Sequence, residues 1–377
     1  MNTQAKLEII SRNTEEILGE DQLLKLIEQK TALKHYIGFE ISGLVHLGTG
    51  LFLMGKVADL IKAGIECNIF LADWHTYINE KLDGNWDHII KAGEGYFKEA
   101  LIASLACWGV KKNQVNFVLA SDLYKNPLHW KNLMEVSKHT TLSRVQRSTD
   151  IMGRSQGKSI DFARLIYPPL QVADIYTLGV NIAHSAIDQR KAHVIARQVA
   201  SKMKISPLKD KKGNIISPIA VHQPLIMGLR KPPIWPIENL TRETKIDMKM
   251  SKSDPGSCIF IHDTPDQIMQ KINHAFCPPM ETEFNPIMNW AKHLIFWGED
   301  KGKLLIKRTK EHGGDKTYVS FSQVKDDYKT GELHPQDLKQ AVGEWLINKL
   351  APARKHFETT ENSKKFDYMK ELQNARR

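Results

Sequence analysis

Residues 33–75 have the sequence LKHYIGFEISGLVHLGTGLFLMGKVADLIKAGIECNIFLADWH, and this stretch decides the fold class. Residues 33–40 suit a short strand, and apolar side chains at helical spacing follow from Leu47 to Ala63, just before Gly64. The apolar run at 68–75 then predicts a buried strand. Strand, helix and strand in this order predict a β-α-β unit and therefore a parallel sheet.

The same alternation continues to about residue 262. Helices are predicted at 87–107, 127 onward, 162–178 and 188–203, and strands at 115–121, 180–185 and 219–227. This pattern predicts a Rossmann-like, doubly wound α/β catalytic domain over residues 1–262. Only helices are expected in a second domain at 263–357, and the charged tail 358–377 is expected to be loosely ordered.

Composition narrows the class of protein without naming a function. The chain of 377 residues carries 53 basic and 43 acidic side chains, and its net charge of +10 favours a polyanionic partner without proving one. Its four cysteines lie far apart, with no Cys/His cluster at zinc spacing, which predicts free thiols in a reducing cytoplasm and no protein metal site. The absence of any membrane-length apolar run argues against a membrane partner.

The turn after the first predicted strand contains His46-Leu47-Gly48-Thr49-Gly50. A dinucleotide-binding GxGxxG fingerprint would need glycine at Leu53, so that interpretation fails. The turn instead places an imidazole beside a helix N-terminus, where the helix dipole and free N–H groups favour phosphate. Gly48 would let a flat base approach the backbone. Taken alone, such a turn is more often an ordinary loop.

A second candidate is the segment Lys249-Met250-Ser251-Lys252-Ser253, within a polar loop of about 230–257. Two lysines three positions apart can hold a polyphosphate and follow its charge to the leaving group. An isolated KxxK is usually no more than a solvated basic loop.

Together the two segments resemble the HIGH and KMSKS signatures of class I aminoacyl-tRNA synthetases, with Thr49 in place of the last histidine of HIGH. Segments 36–43, 71–79, 167–179 and 188–197 resemble the tyrosine-binding segments of archaeal/eukaryotic tyrosyl-tRNA synthetases. The resemblance implies activation of L-tyrosine by ATP with Mg²⁺, transfer to tRNA(Tyr), and a homodimer.

For tyrosine recognition, the resemblance implies that Tyr36 and Asp174 bind the phenol hydroxyl, which both donates and accepts hydrogen bonds. It implies that the α-ammonium and carboxylate are held by Tyr167, Gln171 and Gln189. Taken singly, each of these side chains is more often a packing residue or a solvated one. Where the family has small glycines, this chain has His184-Ser185, which we expect to crowd the tyrosine ring.

For activation, the resemblance implies a catalytic role on the phosphates for three residues, His46, Lys249 and Lys252. It implies ATP binding by the same residues together with Gly38, Gly48 and Thr49. Asp73 and His75 are candidates of second rank near the pocket. Since neither chemical step demands a strong protein base, the reaction depends on positioning and charge stabilisation.

For tRNA, the resemblance implies that Arg147 and Arg190 bind the first base pair of the acceptor stem, which suits the planar fork of arginine. It implies that Asp337 binds the wobble base of the anticodon, with His334 one turn before it. His312 takes the place of an aromatic ring that stacks on that base, and an imidazole is a smaller platform.

Two alternatives remain open. A tryptophanyl-tRNA synthetase shares the fold and both signatures, although Tyr36 with Asp174 argues against it. A non-catalytic synthetase-like paralogue would serve as an RNA-binding module, although the intact KMSKS segment argues against that.

Overall fold

The computed structural model describes residues 1–153, 161–232, 235–237, 248–250, 254–297 and 302–375. The strands of its central sheet are β1 Glu16–Leu18, β2 Lys34–Phe39, β3 Glu66–Leu71, β4 Asn116–Leu119, β5 Ile182–Ala186 and β6 Ile219–Gln223. Their order is β1-β6-β5-β2-β3-β4, with β2 to β6 parallel and β1 antiparallel to β6. The predicted doubly wound α/β domain is therefore confirmed.

Helices cover this sheet. They are α1 Thr3–Ser11, α2 Glu20–Glu28, α3 Leu53–Lys62, α4 Asp73–Ile78, α5 Trp86–Ala92, α6 Lys98–Ala106, α7 Ala120–Leu123, α8 Pro127–Lys138, α9 Leu142–Gln146, α10 Phe162–Leu178 and α11 Arg190–Val199. Single π-helical turns at Gly48–Phe52 and Gly93–Phe97 lead into α3 and α6. At the first of these turns, a Cβ on Gly50 would lie 2.6 Å from a methyl carbon of Ile261, so close packing requires glycine there.

The strand order reverses direction between β2 and β5, which are neighbours in the sheet. The chain moves outward on one side through β3 and β4 and on the other through β6. At such a switch point the connections leave in opposite directions and open a crevice at the carboxyl ends of the strands. This edge is where the candidate site lies.

Three predicted strands, β3, β4 and β6, end two to four residues earlier than expected, and one strand was missed. β3 ends at Leu71, and the rest of the apolar run enters helix α4. β6 ends at Gln223 because the following Pro224 has no N–H for a strand ladder. β1 was not predicted, since three residues are too few to show a period.

The second part contains helices Pro265–Asn273, Pro286–Trp290, Phe321–Thr330, Pro335–Lys349 and Ala351–His356. Thr264 caps the first of these helices with a capping box. The expectation of helices alone was wrong, because β7 Leu304–Ile306 and β8 Lys316–Tyr318 form an antiparallel pair.

One buried carboxylate joins the two parts. Asp59 of α3 accepts hydrogen bonds from Arg12 Nε and from Trp297 Nε1, each at 2.7 Å. The ammonium group of the buried Lys56 lies 3.8 Å from the same carboxylate. Most of the described buried apolar side chains, from both parts, form one continuous cluster, and a smaller cluster contains Ile151, Met152, Tyr167 and Ala192.

The expectation of a loosely ordered tail was also wrong. Residues Thr360–Ala375 form a helix that packs back on the α/β domain and buries Met369 and Leu372. Its few apolar residues follow the i, i+3 spacing of one helix face, which a composition argument overlooks. Among the described residues, no helix is both long and apolar enough to span a membrane.

Candidate active site

A cavity of about 750 Å³ opens at the switch point between β2 and β5. Ten of the predicted site residues line it: Tyr36, Gly38, His46, Gly48, Thr49, His75, Tyr167, Gln171, Gln189 and Lys249. They come from five separate segments of the chain, which the parallel strands bring to one edge of the sheet.

Asp174 lies on α10 beside His75, which lines one end of the cavity; the carboxylate itself does not line it. Its side chain is fully buried, and neither carboxylate oxygen makes a well-formed hydrogen bond to a described residue, although the Tyr124 hydroxyl lies close enough to act on the carboxylate. His75 Nε2 lies 3.8 Å and His129 Nδ1 3.9 Å from it. Burial raises the pKa of Asp174 well above its usual range, while the neighbouring Tyr124 hydroxyl opposes that rise. A buried acceptor without a donor is costly, so a donor from a ligand would be bound strongly here.

His75 and Tyr36 complete this end. Burial lowers the pKa of His75 to about 3, so its imidazole is neutral at physiological pH. Both ring nitrogens of His75 lack a hydrogen-bond partner among the described residues. The phenol of Tyr36 is also buried, and packs against Phe70 with ring centroids 5.6 Å apart. This end of the cavity therefore offers a buried phenol and a neutral imidazole as hydrogen-bonding groups.

Glycine stands at position 38 for a steric reason that the sequence did not reveal. A Cβ at this position would lie 2.5 Å from the Tyr36 hydroxyl oxygen, so glycine makes room for that hydroxyl. Asp73 does not line the cavity; its carboxylate accepts hydrogen bonds from the backbone N–H groups of Trp74 and Ser121. It therefore holds α4 in place beside the pocket.

Glu40 is a cavity-lining residue that the sequence analysis missed as a site residue. Tyr167 donates its hydroxyl to Glu40 Oε1 at 2.8 Å, and Asn79 Nδ2 donates to the same oxygen at 2.8 Å. Lys81 lies 3.7 Å from the other oxygen. The position of Glu40 in segment 36–43 was the available signal. A carboxylate here gives the middle of the cavity a negative charge suited to an ammonium group.

Two glutamines lie near this middle region. Gln189 donates from Nε2 to the Ile151 carbonyl oxygen at 2.8 Å, which fixes its amide. Gln171 is buried on α10, and its Oε1 has no partner among the described residues.

The expectation about His184 and Ser185 was half wrong. His184 is buried beneath the sheet, where its ring nitrogens meet His35 Nε2 at 3.1 Å and Gln223 Oε1 at 3.0 Å. Only Ser185 lines the cavity. Successive side chains of a strand point to opposite faces, so two neighbouring positions on β5 cannot both reach the ring.

The turn at His46 forms the other end of the cavity. His46 Nδ1 accepts hydrogen bonds from the N–H groups of Gly48 at 3.1 Å and Thr49 at 3.4 Å. A neutral imidazole that accepts at Nδ1 carries its proton at Nε2, where it can donate to an anion. Lys249 Nζ pairs with Asp188 at 2.7 Å. Lys252 lies outside the described residues.

Comparison with known proteins agrees with this geometry. The family described as tRNA synthetases class I (W and Y) matches residues 28–351. A tyrosine–tRNA ligase from Thermococcus sibiricus is 49% identical over 379 residues, covering 100% of both chains. The chain belongs to the tyrosyl-tRNA synthetases. A further family member, from Pyrococcus abyssi, is 50% identical over 352 residues and 93% of each chain.

Solved structures give the same result for the fold. The crystal structure of tyrosyl-tRNA synthetase complexed with L-tyrosine from Pyrococcus horikoshii superposes with a TM-score of 0.93 at 45% identity, covering 98% of this chain and 100% of that one. A tryptophanyl-tRNA synthetase from Aeropyrum pernix has a TM-score of 0.65 at 15% identity, covering 94% and 85% of the two chains. The second likeness shows a shared fold alone.

In this synthetase, two predicted tRNA-contacting arginines lie on neighbouring segments beside the cavity. Lys191 donates to the Arg147 backbone oxygen at 2.6 Å and pairs with Asp150 at 2.6 Å, which ties the end of α9 to the start of α11. The Arg190 guanidinium is about half exposed and pairs with Glu16 of β1. The missed strand β1 thus holds Arg190 in place.

The predicted anticodon residues lie together at the start of helix Pro335–Lys349. His334 caps that helix by accepting from the Gln336 N–H at 3.2 Å. Asp337 pairs with Arg308 Nε at 2.9 Å, and Arg308 follows β7. His312 lies in the turn between β7 and β8, and its side chain is outside the described part. The unpredicted strand pair therefore places that turn beside Asp337.

Proposed function

We propose that this protein activates L-tyrosine with ATP and transfers the tyrosyl group to tRNA(Tyr). It is a tyrosine–tRNA ligase, a class I aminoacyl-tRNA synthetase. The observation that carries the proposal is the buried carboxylate of Asp174, which makes no well-formed hydrogen bond to a described residue and lies beside His75, at one end of a cavity that continues to the His46 turn and Lys249. One end suits a phenol and the other suits phosphates.

For the amino acid, we assign Tyr36 and Asp174 to the phenol hydroxyl. Phenylalanine would leave these groups unpaired in a closed pocket, at a cost that makes rejection strong. Tyrosyl-tRNA synthetases are themselves the general example of this effect. Tyrosine's ammonium group would lie near Glu40 and Tyr167, with Gln171 and Gln189 placed to bind the remaining polar atoms.

For activation, the tyrosine carboxylate attacks the α-phosphate of ATP and pyrophosphate leaves. His46 is suited to donate from Nε2 to a phosphate oxygen, and Gly48 and Thr49 supply the turn that orients it. Lys249, and Lys252 in the same segment, would neutralise the leaving pyrophosphate. Mg²⁺ would enter with ATP, held by phosphate oxygens and a carboxylate such as Asp188, and would neutralise phosphate charge.

For transfer, a terminal ribose hydroxyl of the tRNA attacks the adenylate carbonyl, the bond from that carbonyl to the phosphate oxygen breaks, and AMP leaves. We assign Arg147 and Arg190 to the acceptor stem, and Asp337 with His334 and His312 to the anticodon. The net charge of +10 supports a polyanionic partner.

A homodimer and a cytoplasmic location are the remaining parts of the proposal. Trp130 and Met134 are four residues apart on α8, and both are about half exposed or more, which supports a partner surface on that helix. All four cysteines are free thiols, which agrees with a reducing compartment. Sedimentation of the purified chain tests the dimer directly.

The experiment that tests the whole proposal is ATP–pyrophosphate exchange with tyrosine, phenylalanine and tryptophan in parallel. We expect exchange with tyrosine alone. Equal or better exchange with tryptophan would overturn the substrate, and no exchange with any amino acid would favour the non-catalytic RNA-binding alternative.

A further inference from the structure

The C-terminal helix Thr360–Ala375 reaches the nucleotide end of the cavity, far along the chain from every other residue there. Gln373, on its last turn, lines the cavity together with Ser42 and Gly43. These two residues follow β2 and lead toward His46.

Gln373 contacts the backbone of this segment directly. Its Oε1 accepts a hydrogen bond from the Leu44 N–H at 3.3 Å. Gly43 has a φ of +112°, and a Cβ built on it would lie 3.3 Å from the same oxygen. The approach of the glutamine to the chain is therefore close, and the backbone conformation at Gly43 favours glycine.

The next amide of the segment is held by a second group that the same helix covers. Tyr96 accepts a hydrogen bond from the Val45 N–H at 2.9 Å, and its hydroxyl lies 3.1 Å from His262 Nε2. Phe366 of the C-terminal helix stacks on Tyr96 at 5.9 Å and lies 4.1 Å from the His262 ring, between centroids. Two consecutive amides immediately before His46 thus depend on one helix.

The helix is anchored along its length, so its contact with Leu44 is not an isolated one. Lys365 pairs with Glu99 of α6 at 3.5 Å, and the Lys91 ammonium lies 4.0 Å from the centre of the Tyr368 ring. Phe366, Met369 and Gln373 are spaced i, i+3 and i+7, which places them on one helix face. That face is the one turned toward the segment.

We infer that Gln373 is a positioning residue for ATP, acting through the Leu44 N–H on the segment that places His46. The C-terminal helix is then a part of the nucleotide site. The inference rests on the proposed function, since it assigns ATP to that end of the cavity. Tyrosine, whose ring and ammonium sites lie at the other end, is unaffected by this contact.

The test compares Gln373→Ala with Asn374→Ala in the full-length chain, since Asn374 is the exposed next residue of the same helix and does not line the cavity. We expect Gln373→Ala to raise the KM for ATP in pyrophosphate exchange by about 2- to 13-fold, the range for losing one hydrogen bond. The KM for tyrosine and the thermal midpoint should match those of the control variant.

A second variant, Phe366→Ala, tests the other contact of the helix. It should raise the KM for ATP at least as much and leave tyrosine binding, followed by intrinsic fluorescence, unchanged. An unchanged KM for ATP in Gln373→Ala, or equal rises for ATP and tyrosine, would overturn the inference. Absence of exchange in the wild-type chain would instead overturn the proposed function, so the two failures are distinguishable.

Discussion

Asparagine at position 174 would keep the shape of the side chain and remove its charge, and this substitution tests the recognition of tyrosine most directly. Asp174 is fully buried and makes no well-formed hydrogen bond to a described residue, and we propose the phenol of the substrate as its partner. Asp73 is the matched control, because it is also a buried carboxylate but its oxygens accept hydrogen bonds from backbone N–H groups.

The magnitude follows from the kind of hydrogen bond that is lost, because a phenol that donates to Asp174 favours the ionised carboxylate and opposes the burial that raises its pKa. A bond to a charged group contributes about 1.5–3 kcal/mol, and one between neutral groups about 0.5–1.5 kcal/mol. Asp174→Asn should therefore weaken the transition-state binding of tyrosine by about 1–1.5 kcal/mol, which lowers kcat/KM roughly 5- to 13-fold. Phenylalanine cannot make the bond, so its kcat/KM should stay constant or rise.

The assay is pyrophosphate exchange with tyrosine and with phenylalanine, for wild type, Asp174→Asn and Asp73→Asn. The ratio of the two kcat/KM values should fall in the first variant and hold in the second, where any loss should affect both amino acids equally. An unchanged ratio in Asp174→Asn would refute the reasoning, because a charged acceptor would then contribute nothing to discrimination.

Three further outcomes are expected. Asp337→Ala should reduce charging of tRNA(Tyr) by about 5- to 150-fold, the loss of about 1–3 kcal/mol. It should leave ATP–pyrophosphate exchange intact, and the loss in charging should be smaller when the wobble base of the tRNA is also changed. Glu344→Ala, which removes a comparable ion pair with Lys307 at 2.8 Å on the same helix, should charge normally, and an equal loss in both variants would contradict anticodon contact. Lys249→Ala should slow adenylate formation at least about a hundredfold in single-turnover assays while tyrosine still binds; a near wild-type rate would contradict the phosphate role. Burial lowers the pKa of Lys56 to about 7, so between about pH 7 and pH 10 the unfolded chain binds more protons and the free energy of unfolding should rise with pH. Denaturation at pH 7 and pH 9 should show this rise in the free energy of unfolding for wild type and should not show it for Lys56→Met.

The sequence predicted the parts of the protein that depend on local periodicity and on motifs. The β-α-β alternation gave the sheet, and the motif residues Tyr36, His46 and Tyr167 do line one cavity. These predictions succeeded because strand and helix periods are visible over short windows, and because a parallel sheet gathers strand ends at one edge.

The remaining features depend on contacts between segments distant in sequence. Tyr124 had no signature of its own, and Glu40 had only its position in segment 36–43, until the fold placed them beside Asp174 and Tyr167. The composition of the tail predicted that it would be too polar to pack, but Phe366 stacks on Tyr96, which lies far from it in sequence. Pairing of this kind leaves no local pattern, so composition predicted disorder where a helix forms.

The carboxylate of Asp59 has a consequence for how the protein can be divided. It is bonded at once to Arg12 at the N-terminus and Trp297 in the second part, so neither part can separate without leaving a buried charge or donor unpaired. The boundary expected near residue 262 therefore does not separate two independently folding units. A chain cut there would expose apolar surface on both fragments, and heat should melt the intact protein in a single cooperative transition. Joining the second part to another catalytic domain would require a new hydrogen-bond acceptor for the Trp297 indole N–H.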